Sequence, residues 1–85
     1  MLIVYTHHAE KQLVERELDR AWVERIVEGP AFQQPDPEDP ELVRLFGPVP
    51  ERGGRFLRVV VSFESEVRCR VVTVHLDRKA RRRRR

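Results

Sequence analysis

The spacing of apolar residues changes along this chain and predicts a strand, two helices and then further strands. "LIVY" at residues 2–5 is a β-favourable run, and Thr6 after it can cap the N-terminus of a helix. Over residues 7–18 apolar side chains recur at helical spacing, and Gln12 is assigned with the charged residues to the opposite, polar face. The apolar positions of this predicted helix are Ala9, Leu13, Val14 and Leu18.

A second amphipathic helix is predicted to follow directly. Asp19 is its expected N-cap, and Gly29-Pro30 should end it, because glycine suits the position after a helix and proline cannot continue one. Its apolar stripe consists of Trp22, Val23, Ile26 and Val27. The next stretch, "FQQPDPEDPE", carries three prolines and four acids, so it predicts a surface loop rather than a central strand or a helix interior.

The pattern of the second half of the chain indicates strands. "LVRLFGPVP" predicts a short strand, "ERGG" a turn that uses the backbone freedom of two glycines, and the alternating "RFLRVVVSF" a half-buried strand. In "VRCRVVTVHL" the apolar residues lie first on the face of Cys69 and then on the face of Val74. This change of face predicts a bulge, or a strand that is covered on both sides.

These elements together predict an α+β fold: an N-terminal strand, two helices, and a three-stranded antiparallel sheet on which the helices pack. We expect one small domain over residues 1–80, followed by a disordered basic tail at residues 81–85. No apolar run approaches the roughly 20 residues that cross a bilayer, so no membrane contact is expected. A single cysteine, Cys69, fits the reducing cytoplasm.

The charge is distributed unevenly between the two halves. Residues 1–50 hold five Lys/Arg and ten Asp/Glu, a net charge of −5, whereas residues 51–85 hold twelve and four, a net charge of +8. Such asymmetry indicates that the basic part binds RNA or another polyanion. The alternative is that acidic helices and basic strands neutralise each other within the fold. The preference for arginine over lysine suits bidentate phosphate contacts, but a GC-rich genome would produce it as well.

Familiar catalytic motifs are absent from the sequence. There is no glycine-rich phosphate loop, zinc-ligand spacing, nucleophile elbow or dinucleotide fingerprint, so no cofactor is expected. His7 and His8 are adjacent and would point about 100° apart on a helix, which is a poor metal site because zinc helices use i, i+4 spacing. No metal is therefore predicted, and a structural role for either histidine is as plausible as a functional one.

His75 has a more suggestive position, near the end of the last predicted strand and among several arginines. An imidazole that titrates near neutral pH beside guanidinium groups is what a metal-independent ribonuclease needs, for proton transfer and for stabilising the phosphate. A bulge would bring His75 to the same face as Arg68 and Arg70. The alternative is an exposed histidine at a strand end. Cys69 is interpreted as an apolar filler.

The end of the chain, "RKARRRRR", carries seven positive charges and no apolar residue beyond Ala80. Such a segment can supply salt-dependent affinity for phosphates without supplying a reaction. The predicted catalytic residues are His75, His8 and Arg58. The predicted nucleic-acid-binding residues are Arg55, Arg68, Arg70, Arg78, Lys79, Arg81, Arg82 and Arg83.

The segments "THHAEKQLVERELDRAWVERIVEGP", "GRFLRVVV" and "VVTVHLDRKA" resemble a family of small bacterial domains of unknown function over nearly the whole chain. That pattern has a His-Ala pair, a Glu-Arg pair one helix later, a proline after the second helix and a closing V-V-T-V strand. By position these are His8-Ala9, Glu15-Arg16, Pro30 and the strand around Thr73. The sequence departs from the pattern at Glu17, where a glycine commonly follows the arginine.

The family is similar in its order of elements to the BrnT, RelE and ParE toxins of type II toxin-antitoxin pairs, and Arg78-Lys79-Ala80 matches the basic exit of BrnT-like sequences. A RelE-like toxin implies cleavage of mRNA, on the ribosome or free. A ParE-like toxin implies inhibition of DNA gyrase without hydrolysis.

We therefore expect a RelE/BrnT-like toxin that acts as a metal-independent endoribonuclease on RNA. A cognate antitoxin, acidic or able to cover the basic face, is the expected protein partner. The sequence leaves open whether the protein forms a homodimer. The alternatives are a non-enzymatic module that binds nucleic acid, and a domain that serves only as a surface for a protein partner.

Overall fold

The structure is a computed structural model that describes residues 1–78. Its elements, in chain order, are β1 (Leu2–Tyr5), α1 (His7–Glu15), α2 (Arg20–Glu28), β2 (Phe32–Pro35), β3 (Val43–Val49), a 3₁₀ turn (Pro50–Arg52), β4 (Arg55–Phe63) and β5 (Arg68–Asp77). The prediction of a single small α+β unit with two helices is confirmed. The predicted disordered tail at residues 81–85 lies outside the described part of the chain.

The sheet has five strands in the order β1-β5-β4-β3-β2. Strand β1 pairs with β5 in parallel, and every other neighbouring pair is antiparallel. The predicted three-stranded antiparallel sheet is therefore inexact in two respects. The N-terminal strand joins the same sheet, and the start of the proline-rich segment forms the edge strand β2. Pro35 has no backbone N–H, which is tolerated there because an edge strand has no further strand to donate to.

A bulge interrupts the pairing of β4 with β5. Val60 lies opposite Thr73, but Val61 lies opposite Val71, so Val72 is an extra residue on β5. The insertion changes which face the following residues occupy, so that Cys69, Val71 and Val74 all point towards the helices. The bulge predicted from the change of apolar face is thus confirmed.

The two helices cover one face of the sheet, with α1 against β5 and β1, and α2 against β3 and β4. The core lies between the two layers. Its buried apolar residues are Ala9, Leu13, Leu18, Val23, Ile26, Val27, Leu45, Val49, Leu57, Val59, Val61, Cys69, Val71 and Val74. On the opposite face of the sheet, Phe46 and Phe56 form a smaller cluster, against which Phe32 packs with its ring stacked on Phe46 at 4.6 Å.

Helix α1 begins where the sequence predicts and ends earlier than predicted. Thr6 caps it by accepting from the amide of Ala9 at 3.1 Å. Its last helical residue is Glu15 rather than Leu18, and Glu17 adopts a left-handed conformation with φ 55°. Leu18 still reaches the core, because the chain turns back over Leu13 at this point.

Two residues of α1 face the other way from the prediction. Gln12, assigned to the polar face, is only 6% exposed, whereas Val14, assigned to the apolar face, is 78% exposed. The apolar stripe of this helix is narrow, and the place beside Leu13 is taken by an amide. The reason lies in the strand edge that α1 covers.

Candidate functional site

Helix α1 covers the outer edge of β5 at the stretch where β1 no longer pairs with it. Strand β1 pairs with residues 68–71 of β5 and then ends, so the outer edge of residues 72–77 needs other partners. Side chains of α1 and its cap supply them. Thr6 Oγ1 donates to the carbonyl of Val72 at 3.2 Å, and Arg16 Nη1 donates to the carbonyl of Val74 at 3.2 Å.

Gln12 provides the central contact at this edge. Its Oε1 accepts from the amide of Val74 at 2.8 Å and from the hydroxyl of Thr73 at 2.8 Å. Because a backbone amide can only donate, the oxygen of the Gln12 amide must be the atom that faces Val74. This contact explains why a polar residue is buried on α1, and it leaves the amino group Nε2 as the half of the amide that does not face Thr73 and Val74.

A cavity of about 520 Å³ opens beside this edge. It lies between the end of α1, the 3₁₀ turn, the start of β4 and the end of β5. Its lining residues are Gln12, Arg16, Leu18, Arg52, Arg55, His75 and Leu76. Three of these seven side chains are guanidinium groups and none is a carboxylate, so the cavity is suited to an anion.

The turn after α1 holds one wall of the cavity in place. Arg16 and Leu18 flank Glu17 and line the cavity, and Arg52 Nη1 donates to the carbonyl of Glu17 at 3.3 Å. The Arg52 guanidinium also lies 6.0 Å from the ring centroid of Trp22, at the limit of a cation–π contact. The turn and the 3₁₀ segment are therefore joined through one arginine.

Arg58 and His75 form a direct pair across β4 and β5. They lie opposite each other in the register, and Arg58 Nε donates to His75 Nε2 at 3.0 Å, with a second contact from Arg58 Nη2 to the same nitrogen. A guanidinium carries only donors, so His75 Nε2 must hold a lone pair and the ring proton must be on Nδ1. The imidazole is therefore neutral and its tautomer is set by Arg58.

The surroundings of His75 favour this neutral state. Burial lowers the pKa of His75 below its ordinary value of 6.5, and the positive charges of Arg58 and Arg16 lower it further. Asp77 acts in the opposite direction and Arg44 adds to the lowering. At neutral pH the ring is thus a base with its lone pair held by an arginine.

The structure separates the predicted site residues into two groups along β5. Arg58 and His75 meet at one end, and Arg55 lines the cavity beside His75. At the other end, Arg68 Nε and Arg70 Nε bind the two oxygens of Glu64 at 2.7 and 2.8 Å. Arg58, His75, Arg68 and Arg70 share the sheet face opposite the helices, because the bulge shifts the alternation of β5 by one residue. Arg55 lies on the helix side, and Arg68 and Arg70 are not part of the cavity.

The other predicted residues lie farther from His75 or outside the described chain. His8 is exposed in the first turn of α1, eight residues before Arg16, which corresponds to about 12 Å along a helix. Arg78 is exposed and lines a smaller concavity of about 250 Å³ with Arg55, Phe56 and Asp77. Lys79, Arg81, Arg82 and Arg83 lie beyond residue 78.

Several residues of the cavity were not predicted as functional. The sequence marks Arg16 only as part of the Glu-Arg pair, and Arg52 only as part of a turn. Gln12 gave no signal, because a glutamine is ordinary on the polar face of a helix. What could have drawn attention to Arg16 was its place in the family pattern, directly before a residue that needs a left-handed backbone.

Within residues 1–78 no group of three or more histidine, cysteine, aspartate or glutamate side chains is placed to hold a metal ion. Cys69 is buried in the core, and burial raises the pKa of its thiol. This supports its interpretation as an apolar filler. No helix in the same range is both long enough and apolar enough to span a bilayer.

The profile of a family described as "Domain of unknown function (DUF4258)" matches residues 5–75. The chain therefore belongs to this family. The matched range includes α1, the turn at Glu17, Arg58 and His75. Comparisons with curated proteins and with solved structures give no match.

Proposed function

We propose that this member of the DUF4258 family is a toxin-like endoribonuclease that cleaves RNA without a metal ion. The observation that carries the proposal is the pair of Arg58 and neutral His75 beside a cavity lined by donors. The pair combines a base, His75, with a guanidinium, Arg58, that can bind the scissile phosphodiester, and these are the two requirements of RNA cleavage by the 2′-hydroxyl. The basic second half of the chain and the resemblance to RelE- and BrnT-like toxins support the same proposal.

The reaction assigns a distinct part to each residue of the pair. A phosphodiester draws the Arg58 guanidinium towards its own oxygens, because a charge-assisted bond to phosphate is stronger than one to a neutral ring. This releases His75 Nε2, which takes the proton of the 2′-hydroxyl. The 2′-oxygen then bonds to phosphorus while the bond from phosphorus to O5′ breaks. O5′ takes a proton from water, and His75 passes the proton that it removed to the solvent.

The test combines growth and cleavage. Induced expression in a bacterium should arrest growth and reduce total mRNA, and the purified protein should cut RNA in the presence of a chelator. His75→Ala should lower the cleavage rate by about 100-fold or more, the usual loss when a general base is removed. The matched control is His7→Ala, since His7 is exposed and lies outside the site.

Cleavage by the His75→Ala protein at the wild-type rate would show that the imidazole is not the base. Unaffected growth and intact mRNA on expression of the wild-type protein would rule out the toxin. Arg58→Lys separates charge from geometry, because lysine keeps the charge but not the fork that holds both the ring nitrogen and a phosphate. We expect it to retain RNA binding and to lose most cleavage.

A second candidate is an RNA-binding module without catalytic activity. It is favoured by one observation: the lone pair of His75 is already bound by Arg58, so the ring is not ready to accept a proton in this structure. Filter binding across a salt series separates the two functions. A module of this kind retains RNA at low salt, with an affinity that falls steeply as salt rises, and yields no cleavage products.

A further inference from the structure

The donors that line the cavity beside His75 exceed what the fold uses. Arg16 donates from one nitrogen to the carbonyl of Val74, and Arg52 donates from one nitrogen to the carbonyl of Glu17. Each guanidinium carries five N–H donors, so most of them are not used by these bonds. Arg55 adds a third guanidinium to the same lining. The remaining N–H groups of these three side chains can therefore be shared by one bound anion.

Gln12 adds a neutral donor to the same cavity. Its oxygen is fixed towards Thr73 and Val74, so its amino group is the half of the amide that is left for the cavity it lines. The side chain is buried and cannot turn over without leaving the amide of Val74 unpaired, which is costly for a buried donor. Gln12 is therefore a preorganised donor rather than a mobile surface group.

The charge of the lining selects between two kinds of phosphate. An internal RNA phosphate is a diester with one negative charge, whereas a phosphomonoester has a second pKa near 6 and carries almost two negative charges at neutral pH. Three guanidinium groups with no carboxylate among the lining side chains favour the group with more charge and with three terminal oxygens instead of two.

The size and apolar part of the cavity fit more than an inorganic ion. A volume of about 520 Å³ lies within the roughly 300–1,000 Å³ of small-ligand sites. Leu18 and Leu76 give one part of the lining an apolar surface, on which a sugar or base can rest while the phosphate meets the arginines.

We infer that this cavity binds the phosphomonoester group of a nucleotide, either free or at the end of an RNA chain, in preference to an internal phosphodiester. The nucleotide part of this inference rests on the proposed function, whereas the preference for a monoester rests on the lining alone. Gln12, Arg16, Arg52 and Arg55 contact the phosphate, and Leu18 and Leu76 contact the nucleoside.

Calorimetric titration of the full chain at low salt tests the inference. The ligands are uridine monophosphates with the phosphate on the 5′ or 3′ oxygen, the methyl ester of each, and inorganic phosphate. The better monoester should bind about tenfold more tightly than its methyl ester, the gain expected from one further charge-assisted hydrogen bond. It should also bind more tightly than inorganic phosphate, which lacks the nucleoside.

Variants locate the binding in the cavity. Arg16→Gln and Arg55→Gln should each weaken monoester binding by about tenfold. Lys11→Gln is the matched control, because it removes the same charge from an exposed position on α1 outside the cavity. Gln12→Glu keeps an acceptor for Val74 but places a carboxylate in the lining, so it should abolish binding. Circular dichroism and a thermal melt show whether each variant is folded.

Competition with oligonucleotides separates the two sources of the ligand. Displacement of the bound monophosphate by an oligonucleotide phosphorylated at one end, and not by its unphosphorylated form, identifies a chain end. Displacement by neither, with the monophosphate still bound, identifies a free nucleotide.

Equal affinity for monoester and methyl ester would overturn the inference, and so would unchanged binding in folded Arg16→Gln and Arg55→Gln proteins. These failures are distinct from failure of the proposed function. A protein that cleaves RNA but shows no monoester preference contradicts the inference alone. One that binds monoesters with this preference but leaves RNA intact contradicts the ribonuclease alone.

Discussion

Replacement of Glu17 by glycine is expected to stabilise the protein. Glu17 has φ 55° and is the only non-glycine residue within residues 1–78 with positive φ. The amide of Leu18 donates to the carbonyl of Leu13 at 2.9 Å, and the amide of Glu17 donates to the carbonyl of Val14 at 3.3 Å. These two bonds form a Schellman motif, in which the residue with positive φ is usually glycine because it has no Cβ.

The gain can be estimated from two opposing effects. A left-handed conformation costs a residue with a Cβ about 1–2 kcal/mol, which Glu17→Gly removes. Glycine also has more conformational freedom in the unfolded chain, and this lowers the free energy of unfolding by about 0.5–1 kcal/mol. Glu17 is exposed, so no packing is lost. At the middle of both ranges the net increase in the free energy of unfolding is about 0.75 kcal/mol, or about 3–6 °C in Tm for a domain of this size.

Urea denaturation followed by circular dichroism measures this difference directly. Glu17→Ala is the matched control, because it removes the same side chain but keeps the Cβ, and it should give no comparable gain. A glycine variant that is no more stable than the alanine variant would refute the strain argument. Anion binding in the cavity should be unchanged, since Arg52 donates to the backbone carbonyl of residue 17, which glycine retains.

Two further predictions concern packing and pH. Gly47→Ala should lower the free energy of unfolding by about 1–3 kcal/mol in the same denaturation assay, because the added Cβ would lie 2.8 Å from Ile26 Cγ1. Stability should fall as pH drops below 6.5, since the lowered pKa of His75 lets the unfolded chain bind a proton more readily than the folded one. Thermal melts of His75→Gln should lack this loss, whereas Glu51 and Glu64, whose carboxyl pKa values are lowered from 4.5, act only at lower pH.

The local signals in the sequence were sufficient for the helix boundaries that depend on caps. Thr6 and Asp19 accept from the amides of Ala9 and Ala21, as their residue types predict. The C-terminal end of α1 was missed because glutamate gives no signal for a left-handed residue. The resemblance to a pattern with glycine at this position held the information, since a glycine there marks positive φ.

Burial of Gln12 could not be predicted, because its cause lies 62 residues away. The amide of Val74 needs an acceptor only because β1 ends before it reaches that part of β5. Nothing within α1 distinguishes a glutamine that covers a strand edge from one that faces water. For the same reason the sequence does not predict the cavity, because nothing in it shows that Arg16, Arg52 and Arg55 come together.

The bulge at Val72 decides whether this site can exist at all. If Val72 were paired and the ladder ran on without a bulge, the register that places Val61 opposite Val71 would put His75 opposite Leu57 instead of Arg58. A shift of one residue moves a side chain to the other face of a sheet. His75 would then point into the helix-covered core, and Val74 would take its place beside Arg58. The change of apolar face that the sequence shows in "VRCRVVTVHL" is therefore also the feature that pairs the base with its arginine. Deleting Val72 should keep that pairing, because Thr73 would then follow Val71 directly in the register that it already has.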